Sequence, residues 1–337
     1  MTRYIARRLL QGAGTLLLVM FVLHLLTTVA IQLNGNPAQA FFGDKVATPA
    51  QVAAVEERFG LDDPCFDQPG NPCLGPFAER LGQYARGDLG TNLRGREVAD
   101  IVGAAAPNTL RLFCVVVVTW LALGMVLGSV AARWRGSAGD HGIRLTSVLI
   151  DAFPVFVLLI VYRYVVAVPL NRWSKETFGE DSWPPYWFRP SFDPAHPWAT
   201  VLVPGILLGL AGSAAFIRLV RASQLESYAG EHVRTARSKG LSEPRVVVHH
   251  VVRNSSVPVV TAVGLTFAEA LGGAVITEGL MNIYGMGGVL WEAVRNDDVG
   301  LVLGIVTLLT TVTVLVMIAV DIAYALLDPR IRLGTDD

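Results

Sequence analysis

The segment LFCVVVVTWLALGMVLGSVAA, residues 112–132, decides the fold, because more than twenty consecutive uncharged residues lie between Arg111 and Arg133. A helix needs about 20 apolar residues to cross the hydrocarbon core of a bilayer. Three further charge-free runs of at least this length are bounded by Arg8 and Asp44, by Asp193 and Arg218, and by Asp298 and Asp321. The sequence therefore predicts several membrane-crossing helices.

The composition of the chain favours the same conclusion. Of its 337 residues, 52% are hydrophobic and only 16% are charged, whereas about 25% are charged in an ordinary soluble domain. A water-soluble globule is therefore disfavoured. We predict an all-α polytopic membrane protein whose six transmembrane helices cover residues 9–33, 110–132, 145–170, 198–220, 257–279 and 301–327.

The positions of lysine and arginine predict the orientation, because these residues accumulate in cytoplasmic loops. With the N-terminus inside, the inner segments carry a net charge of +8, the outer segments −6 and the spans −3, which together give the total of −1. We predict that both termini are cytoplasmic and that residues 34–106 form an extracytoplasmic segment. The first apolar run is too long for a signal peptide, whose apolar region has roughly 7 to 15 residues, so we interpret it as a retained anchor.

Two of the three cysteines lie close together in the extracytoplasmic segment. Cys65 and Cys73 flank a stretch that contains Pro69 and Gly70, residues that favour a tight turn. An oxidising exterior favours disulfide formation, so we predict a Cys65–Cys73 disulfide, the alternative being two free thiols. Without a histidine or further cysteine beside them, they do not make a zinc site. Cys114 is expected to pack as a small hydrophobe.

Sequence motifs of enzymatic chemistry are missing. The only lysines are Lys45, Lys175 and Lys239, and none follows a glycine, which excludes a phosphate-binding Gly-Lys-Ser/Thr loop. The sequence also contains no His-Glu-x-x-His pair and no Gly-x-Ser-x-Gly elbow. We therefore predict no catalytic residues, no metal ligands and no ATPase site in this chain.

The longest inner loop, residues 218–256, has the pattern of an arginine-rich helical hairpin. Gly240 is a typical C-terminal cap, and Ser242-Glu-Pro is a typical start for the next helix. We expect that second helix to reach Asn254 and to break before Pro258. On composition alone, the loop is equally well interpreted as an ordinary positively charged inner loop.

A series of short motifs is spread along the chain. The most informative is Arg234-Thr-Ala-Arg-Ser-Lys-Gly240-Leu-Ser, followed at a distance by Arg253-Asn254 and Pro258. It resembles the cytoplasmic EAA-type loop of binding-protein-dependent ABC importer permeases of the oligopeptide, dipeptide and nickel branch. The large segment between the first two spans resembles that of the B-type subunit. The other motifs, in family order, are Tyr4-Ile-Ala-Arg-Arg, Arg58-Phe-Gly-Leu-Asp, Gly87-Asp-Leu-Gly-Thr91, Pro107-Asn-Thr-Leu110, Arg221-Ala-Ser, Glu278 with Gly285-Met-Gly287, and Leu327-Asp-Pro-Arg330.

The resemblance implies a type I ABC importer permease fold, with residues 107–327 as its transmembrane domain and residues 328–337 as a cytoplasmic tail. It implies that loop 221–256 docks on a cytoplasmic ATPase and couples ATP-driven movement to the spans. Gly240 is the position most sensitive to substitution, because a side chain there opposes the left-handed cap. The implied ATPase-coupling residues are Glu231, Arg234, Thr235, Ala236, Arg237, Lys239 and Gly240.

The resemblance also implies the partners of the chain. These are a homologous C-type permease, one or two ATPase subunits that bind ATP and Mg, an extracytoplasmic substrate-binding protein and the lipid bilayer, with no nucleic acid. The implied location is the prokaryotic plasma membrane. The implied cargo is short peptides, and the alternative within the branch is nickel or another small chelate.

Charged residues within the predicted spans are candidates for the translocation path, because a charge at mid-bilayer costs roughly 2.5 to 3.5 kcal/mol on insertion scales. Glu269, Glu278 and Asp151 are these candidates, with a structural hydrogen bond or ion pair as the alternative for Glu269. Arg163 lies about 18 Å along a helix from Asp151, too far to pair with it, and is expected to extend to the outer interface. Asp321 either pairs with a basic loop residue or is solvated at the inner interface.

A stand-alone secondary transporter or channel is the alternative from another functional class. Such a protein needs its own coupling charges and often contains internal repeats, and we find no convincing repeat in the sequence. Neighbouring genes for an ATPase and a binding protein distinguish the two classes.

Overall fold

The computed structural model of the chain describes residues 2–33, 42, 47–59, 63–179, 187–296 and 298–327. In this part of the chain the only extended pairing is an isolated bridge between Thr91 and Glu97, so the all-α prediction is confirmed there. The helices are α1 (Thr2–Leu33), α2 (Pro49–Phe59), α3 (Leu74–Ala85), α4 (Val98–Arg133), α5 (Ala138–Ala152), α6 (Val155–Val161), α7 (Val168–Phe178), α8 (Pro197–Ala229), α9 (Glu231–Ser238), α10 (Glu243–Val246), α11 (Arg253–Met281), α12 (Met286–Arg295) and α13 (Val299–Leu327).

The contacts group these helices into two compact units. The N-terminal unit contains residues 2–107 and 285–315, and the central unit contains residues 108–284 and resumes at residue 316. Helices α4 and α13 each pass from one unit into the other. The residues of the candidate coupling loop all belong to the central unit.

In the N-terminal unit, the beginning of α4 packs with α12 and α13 around a hydrophobic core. Val98, Ala105 and Ile305 are fully buried in it. A Cβ on Gly304 would lie 2.9 Å from the carbonyl oxygen of Leu89 and 2.8 Å from Cγ1 of Val98. The absence of a side chain at Gly304 therefore allows α13 to pack directly on the loop that precedes α4.

In the central unit, α4 and α8 pack with their backbones close together. A Cβ on Gly209 would lie 2.7 Å from the carbonyl oxygen of Val116, and one on Gly128 would lie 2.8 Å from Cβ of Val220. Small residues favour such approaches in membranes, where van der Waals contact drives helix association. These glycines therefore hold α8 against α4 along most of the length of the helix.

Five described helices or helical stretches are long and apolar enough to cross a membrane. The first, second, fourth and sixth predicted spans each lie within one of them, apart from the last residues of the sixth. The fifth predicted span, residues 257–279, lies within α11, and most side chains of this span fall outside the described residues. The count of six therefore stays a prediction. The five candidate spans are Ile5–Leu33, Val98–Arg133, Val155–Phe178, Pro197–Ala229 and Val299–Ile322.

The predicted third span, residues 145–170, is wrong as a single helix. Helix α5 ends at Ala152, and Phe153 has extended dihedral angles (φ −94°, ψ 121°). The following residue is Pro154, whose ring disfavours the α conformation for the residue before it. The chain then starts a new helical stretch, so the candidate span shifts to Val155–Phe178 and includes a π-helical segment, Tyr162–Ala167.

The predicted helix break before Pro258 is also wrong. Helix α11 runs from Arg253 to Met281 and passes through this proline. A proline inside a membrane helix is tolerated where neighbouring groups or local adjustments satisfy the freed backbone groups. The segment just before α11, Val247–Val252, is π-helical.

Cys114 does not pack as predicted. Its side chain is exposed on the surface of the chain. The neighbouring Leu112 and Val116 are buried in the core of the central unit instead. The helical repeat of 3.6 residues therefore turns Cys114 away from that core.

Candidate functional site

The inner hairpin, which we define as residues 231–246, begins directly after α8. Gly230 interrupts the helix with extended dihedral angles (φ −71°, ψ 147°), and α9 starts at the next residue. A Cβ on Gly230 would lie 2.5 Å from Cε1 of His232. The Oγ of Ser227 donates to the carbonyl of Val251 at 3.2 Å, which links the end of α8 to the segment that leads away from the hairpin.

A Schellman motif ends α9 at Gly240. The amide of Leu241 donates to the carbonyl of Ala236 at 3.3 Å, and the amide of Gly240 donates to the carbonyl of Arg237 at 2.9 Å. Gly240 has φ +74°, the left-handed conformation that glycine adopts without steric cost. The predicted cap is therefore confirmed, and among the described residues no atom beyond the chain neighbours of Gly240 lies within 4 Å of a Cβ built there.

One face of α9 is buried against the returning segment. Val233, Ala236, Val246 and Val251 form a small core in which each is at most 3% exposed. The side chain of Ala236, which was predicted to lie beside the docking residues, is therefore turned away from the exposed face, and its part in coupling stays a prediction. Positions 233 and 236 are three residues apart and share the inward face of the helix.

The other predicted coupling residues share the opposite, exposed face. Glu231, Thr235, Lys239 and Gly240 are exposed, and Glu231 contacts Arg234 at 3.4 Å with both side chains 83% exposed. Such a surface pair contributes little to stability. The face therefore presents polar groups whose hydrogen-bonding capacity is largely unused by the part of the chain that the structure describes.

A second ion pair joins the two arms of the hairpin. The guanidinium of Arg237 donates to Oε1 of Glu243 at 2.6 Å. Because Arg237 lies in α9 and Glu243 lies at the start of α10, this contact crosses the Gly240 turn. Together with the small core, it makes the hairpin one packed unit instead of a flexible loop.

The base of the hairpin is fixed by a bidentate ion pair that the sequence did not reveal. Arg221 in α8 donates from Nε and Nη2 to the two carboxylate oxygens of Asp140 in α5, at 2.7 and 2.8 Å. The Asp140 side chain is 1% exposed and also accepts from the amide of Gly136. The hydrogen bonds from Arg221 hold the pKa of Asp140 well below its usual value.

The three candidates for the translocation path have different surroundings. Asp151 pairs with Arg218 of α8 at 2.7 Å, and both side chains are at least 40% exposed. Glu278 is fully buried near the end of α11. The side chain of Glu269 lies outside the described residues. Asp151 and Glu278 therefore have different surroundings, and the role of all three residues in translocation stays a prediction.

Arg163 has a contact that the sequence did not predict. Its guanidinium donates to the carbonyl of Leu280, near the end of α11. The guanidinium carbon also lies 5.7 Å from the centre of the Tyr164 ring. The arginine that was expected to extend to the interface is thus bonded to a backbone group of the neighbouring helix.

Two of the sequence motifs meet at the end of α11. The helix ends in another Schellman motif, with Asn282 left-handed (φ 51°) and the amide of Ile283 donating to the carbonyl of Glu278 at 2.9 Å. The side-chain amide of Asn108 donates to the carbonyl of Tyr284 at 2.7 Å. The Pro107-Asn-Thr-Leu110 motif therefore fixes the turn that follows Glu278.

The cysteine loop, which we define as residues 63–73, is bound tightly to α1. Cys65 and Cys73 form the predicted disulfide, with their Cα atoms 5.4 Å apart. The side chain of Gln32 donates to the carbonyls of Cys65 and Asn71 and accepts from the amide of Gly70, at 2.9 to 3.2 Å. Helices α2 and α3 lie on either side of the loop in the chain.

His24 of α1 completes this attachment. Its Nε2–H donates to the carbonyl of Cys73 at 3.1 Å, and its ring lies 5.2 Å from that of Phe77 in α3. The His24 side chain is buried. Side chains of α1 thus satisfy backbone groups of the cysteine loop that secondary structure leaves unpaired.

The described helices, the membrane-length stretches and the inner hairpin define a multi-pass membrane protein. Residues 124–333 match the family described as binding-protein-dependent transport system inner membrane component. The chain belongs to this family, which has the type I ABC importer permease fold.

Full-length relatives give the same assignment. A peptide permease protein of Brucella ovis is 32% identical and aligns over 98% of this chain and 99% of its own length. The glutathione transport system permease protein GsiC of Escherichia coli O6:H1 is also 32% identical, over 98% of this chain and 99% of the relative. The similarity therefore extends well beyond the coupling loop.

Proposed function

We propose that this permease forms one half of the translocation path for short peptides, which an extracytoplasmic binding protein delivers. The observation that carries the cargo class is the full-length similarity to proteins named as peptide and glutathione permeases. The large outer segment, with its disulfide and its attachment to α1, supports a rigid surface for the binding protein. A homologous C-type permease completes the path.

The inner hairpin is the coupling element in this proposal. It is short, packed around its own small core, and closed by a glycine cap. Its opposite face exposes Glu231, Arg234, Thr235 and Lys239, groups able to form charge-assisted hydrogen bonds with a protein partner. One or two cytoplasmic ATPase subunits bind ATP and Mg, and their movement reaches the spans through α8.

The orientation in the proposal places both termini and the hairpin in the cytoplasm. The net charge of +8 on the inner segments against −6 on the outer segments supports this arrangement. The permease itself carries out no ATP hydrolysis, because the energy enters through its partners.

Two substitutions at Gly240 test the coupling role. Gly240→Asn keeps a residue that tolerates the left-handed conformation, whereas Gly240→Trp adds bulk where the chain itself leaves open space. We expect the asparagine variant of the assembled importer to retain binding-protein-stimulated ATPase activity and peptide uptake. We expect the tryptophan variant to lose at least about tenfold in both, because a buried steric conflict at a close interface costs more than 1.4 kcal/mol.

Peptide uptake into proteoliposomes and ATP hydrolysis are measured on the same preparations. Thermal unfolding of each permease provides the control for misfolding. Wild-type coupling in the Gly240→Trp variant would rule out the hairpin as the docking element. Uptake of nickel chelates without uptake of peptides would rule out the proposed cargo.

A further inference from the structure

A cavity of about 540 Å³ opens where the ends of α4 and α8 meet the inner hairpin. The α4 side contributes Arg133, Trp134 and Arg135, the α8 side contributes Tyr228, and the hairpin contributes Arg237 and Glu243. All six residues belong to the central unit. The cavity is therefore a feature of one compact body.

The charges that line the cavity leave a positive excess. Arg237 is neutralised by Glu243 at 2.6 Å. The side chains of Arg133 and Arg135 are exposed and make no ion pair with any residue that the structure describes. Two guanidinium groups are thus available to a ligand, and the planar donor fork of arginine suits phosphate oxygens.

Two buried polar atoms also lack hydrogen-bond partners among the described residues. They are the hydroxyl of Tyr228 and Oε2 of Glu243, and both residues line the cavity. Buried polar groups in proteins are almost always hydrogen-bonded. The phenol suits a phosphate oxygen as its acceptor, and the carboxylate oxygen suits a hydroxyl as its donor.

The position of the cavity along the chain places it at a membrane boundary. The candidate span Val98–Arg133 ends at the first of its arginines. Trp134 follows at once and is 56% exposed, and tryptophan is enriched at the bilayer interface. Basic pockets between transmembrane helices bind anionic lipid head groups on the cytoplasmic side.

We propose that this cavity binds the phosphoglycerol head group of an anionic phospholipid. Arg133 and Arg135 contact the phosphate, the Tyr228 hydroxyl donates to it, and Glu243 accepts from a glycerol hydroxyl. Because the Arg237–Glu243 pair forms one wall, an occupied cavity stabilises the geometry of the inner hairpin. The orientation proposed above determines only in which leaflet of the membrane the bound lipid lies. The groups that line the cavity are the same in either orientation.

Glu243 makes the inference specific among anionic lipids. Phosphatidylglycerol carries a phosphate and free hydroxyls, whereas the serine head group of phosphatidylserine has an ammonium and a carboxylate in place of these hydroxyls, and Glu243 repels that carboxylate. We therefore expect preferential retention of phosphatidylglycerol over phosphatidylserine and phosphatidylcholine. Native mass spectrometry of the assembled importer, released from nanodiscs that contain the three lipids in equal amounts, measures this preference.

The test variant is Arg133→Gln/Arg135→Gln, and its matched control is Arg7→Gln/Arg144→Gln. The control removes two exposed positive charges that lie outside the cavity. Since each basic group near a membrane surface contributes about 1 kcal/mol, we expect the test variant to bind phosphatidylglycerol at least about tenfold more weakly and the control to be unchanged. Tyr228→Phe, which removes a single hydroxyl, is expected to lower the same affinity several-fold.

Four results decide the inference. A loss of phosphatidylglycerol binding in the cavity variants, with unchanged binding in the control variant, supports it. Binding of glycerol 1-phosphate in phosphatidylcholine nanodiscs, without any preference for anionic lipid, supports a phosphate site that takes a soluble ligand instead. An equal loss of phosphatidylglycerol binding in the test variant and in the control variant overturns it. Unchanged lipid binding with loss of the copurified ATPase also overturns it and assigns the cavity to an acidic segment of that partner.

Discussion

The cysteine loop and the inner hairpin are both short segments joined to the end of a long helix, but they use their polar groups differently. In the cysteine loop, Gln32 and His24 donate to backbone carbonyls, and a disulfide closes the loop. In the inner hairpin, a small apolar core and the Gly240 cap supply the rigidity, so the charged face stays exposed. The comparison indicates that rigidity built from backbone caps leaves side chains available to a partner.

The largest expected effect concerns the base of the inner hairpin. In Arg221→Met, the buried Asp140 carboxylate loses both guanidinium hydrogen bonds and keeps the amide of Gly136 and the nearby charge of Arg144. Removing one member of a buried ion pair costs about 3 to 5 kcal/mol. We expect a clear fall in the thermal unfolding midpoint of the purified permease, together with weaker coupling of ATP hydrolysis to uptake.

The matched control is the double variant Asp140→Asn/Arg221→Met, which removes both charges and is expected to recover most of the lost stability. Because the folded pKa of Asp140 is lowered, the pair contributes fully above the unfolded pKa of about 3.9 and loses its contribution as the pH falls further. The stability of the wild type attributable to this pair is therefore constant between pH 5 and 8. A double variant as unstable as the single one would contradict this account.

The second effect separates covalent from noncovalent attachment in the cysteine loop. Cys65→Ser/Cys73→Ser opens a short disulfide loop, which the chain-entropy relation values at about 2 to 3 kcal/mol. We expect faster hydrogen exchange at residues 63–85 and unchanged exchange at residues 231–246. Faster exchange in both regions would show that their stabilities are coupled.

A smaller effect is expected from Gln32→Leu with the disulfide intact. This variant removes three hydrogen bonds to the loop backbone, each with a net contribution of roughly 1 kcal/mol. The disulfide limits the movement of the loop, so we expect a local loss of about 1 to 2 kcal/mol. Exchange of the Gly70 amide, which donates to Gln32, reports this change. An unaltered exchange rate of this amide would show that the disulfide and His24, and not Gln32, attach the cysteine loop to α1.

The smallest effect on stability is expected from Arg234→Gln. Arg234 and Glu231 are both 83% exposed, and such pairs contribute almost nothing to folding. The unfolding midpoint should therefore stay within error of the wild type, whereas binding-protein-stimulated ATP hydrolysis decreases. A changed unfolding midpoint with normal binding-protein-stimulated ATP hydrolysis would contradict this account. It would show that the exposed face of α9 contributes to folding and not to coupling.

The features that the sequence predicted are local ones. Gly240 requires a left-handed turn, and Ser242-Glu-Pro starts a helix, so both ends of the hairpin turn were predictable from a few residues. The burial of Ala236 could also have been predicted, since its spacing from Val233 matches one face of a helix. Pro154 was a further local signal, because a proline disfavours the α conformation for the residue before it, here Phe153. The third span was nevertheless predicted as one helix because the segment is long and apolar.

The contacts that were missed join residues far apart in the sequence. Arg221 and Asp140 are separated by 81 positions, and Gln32 and Asn71 by 39. Neither pair belongs to a local motif, and each forms only because helices place the partners side by side. Charge patterns within a single loop therefore predicted the exposed face of the hairpin but not the contacts that hold it.

The continuity of α8 has a mechanical consequence. The helix runs from Pro197 to Ala229, and its only internal proline is Pro204. The uninterrupted part after Pro204 is a rod about 37 Å long at 1.5 Å per residue, and Gly209 and Gly128 allow it to lie directly against α4. In the proposed coupling, a push on the inner hairpin would therefore be delivered as a tilt of this lever, with Pro204 as the joint at which it can bend.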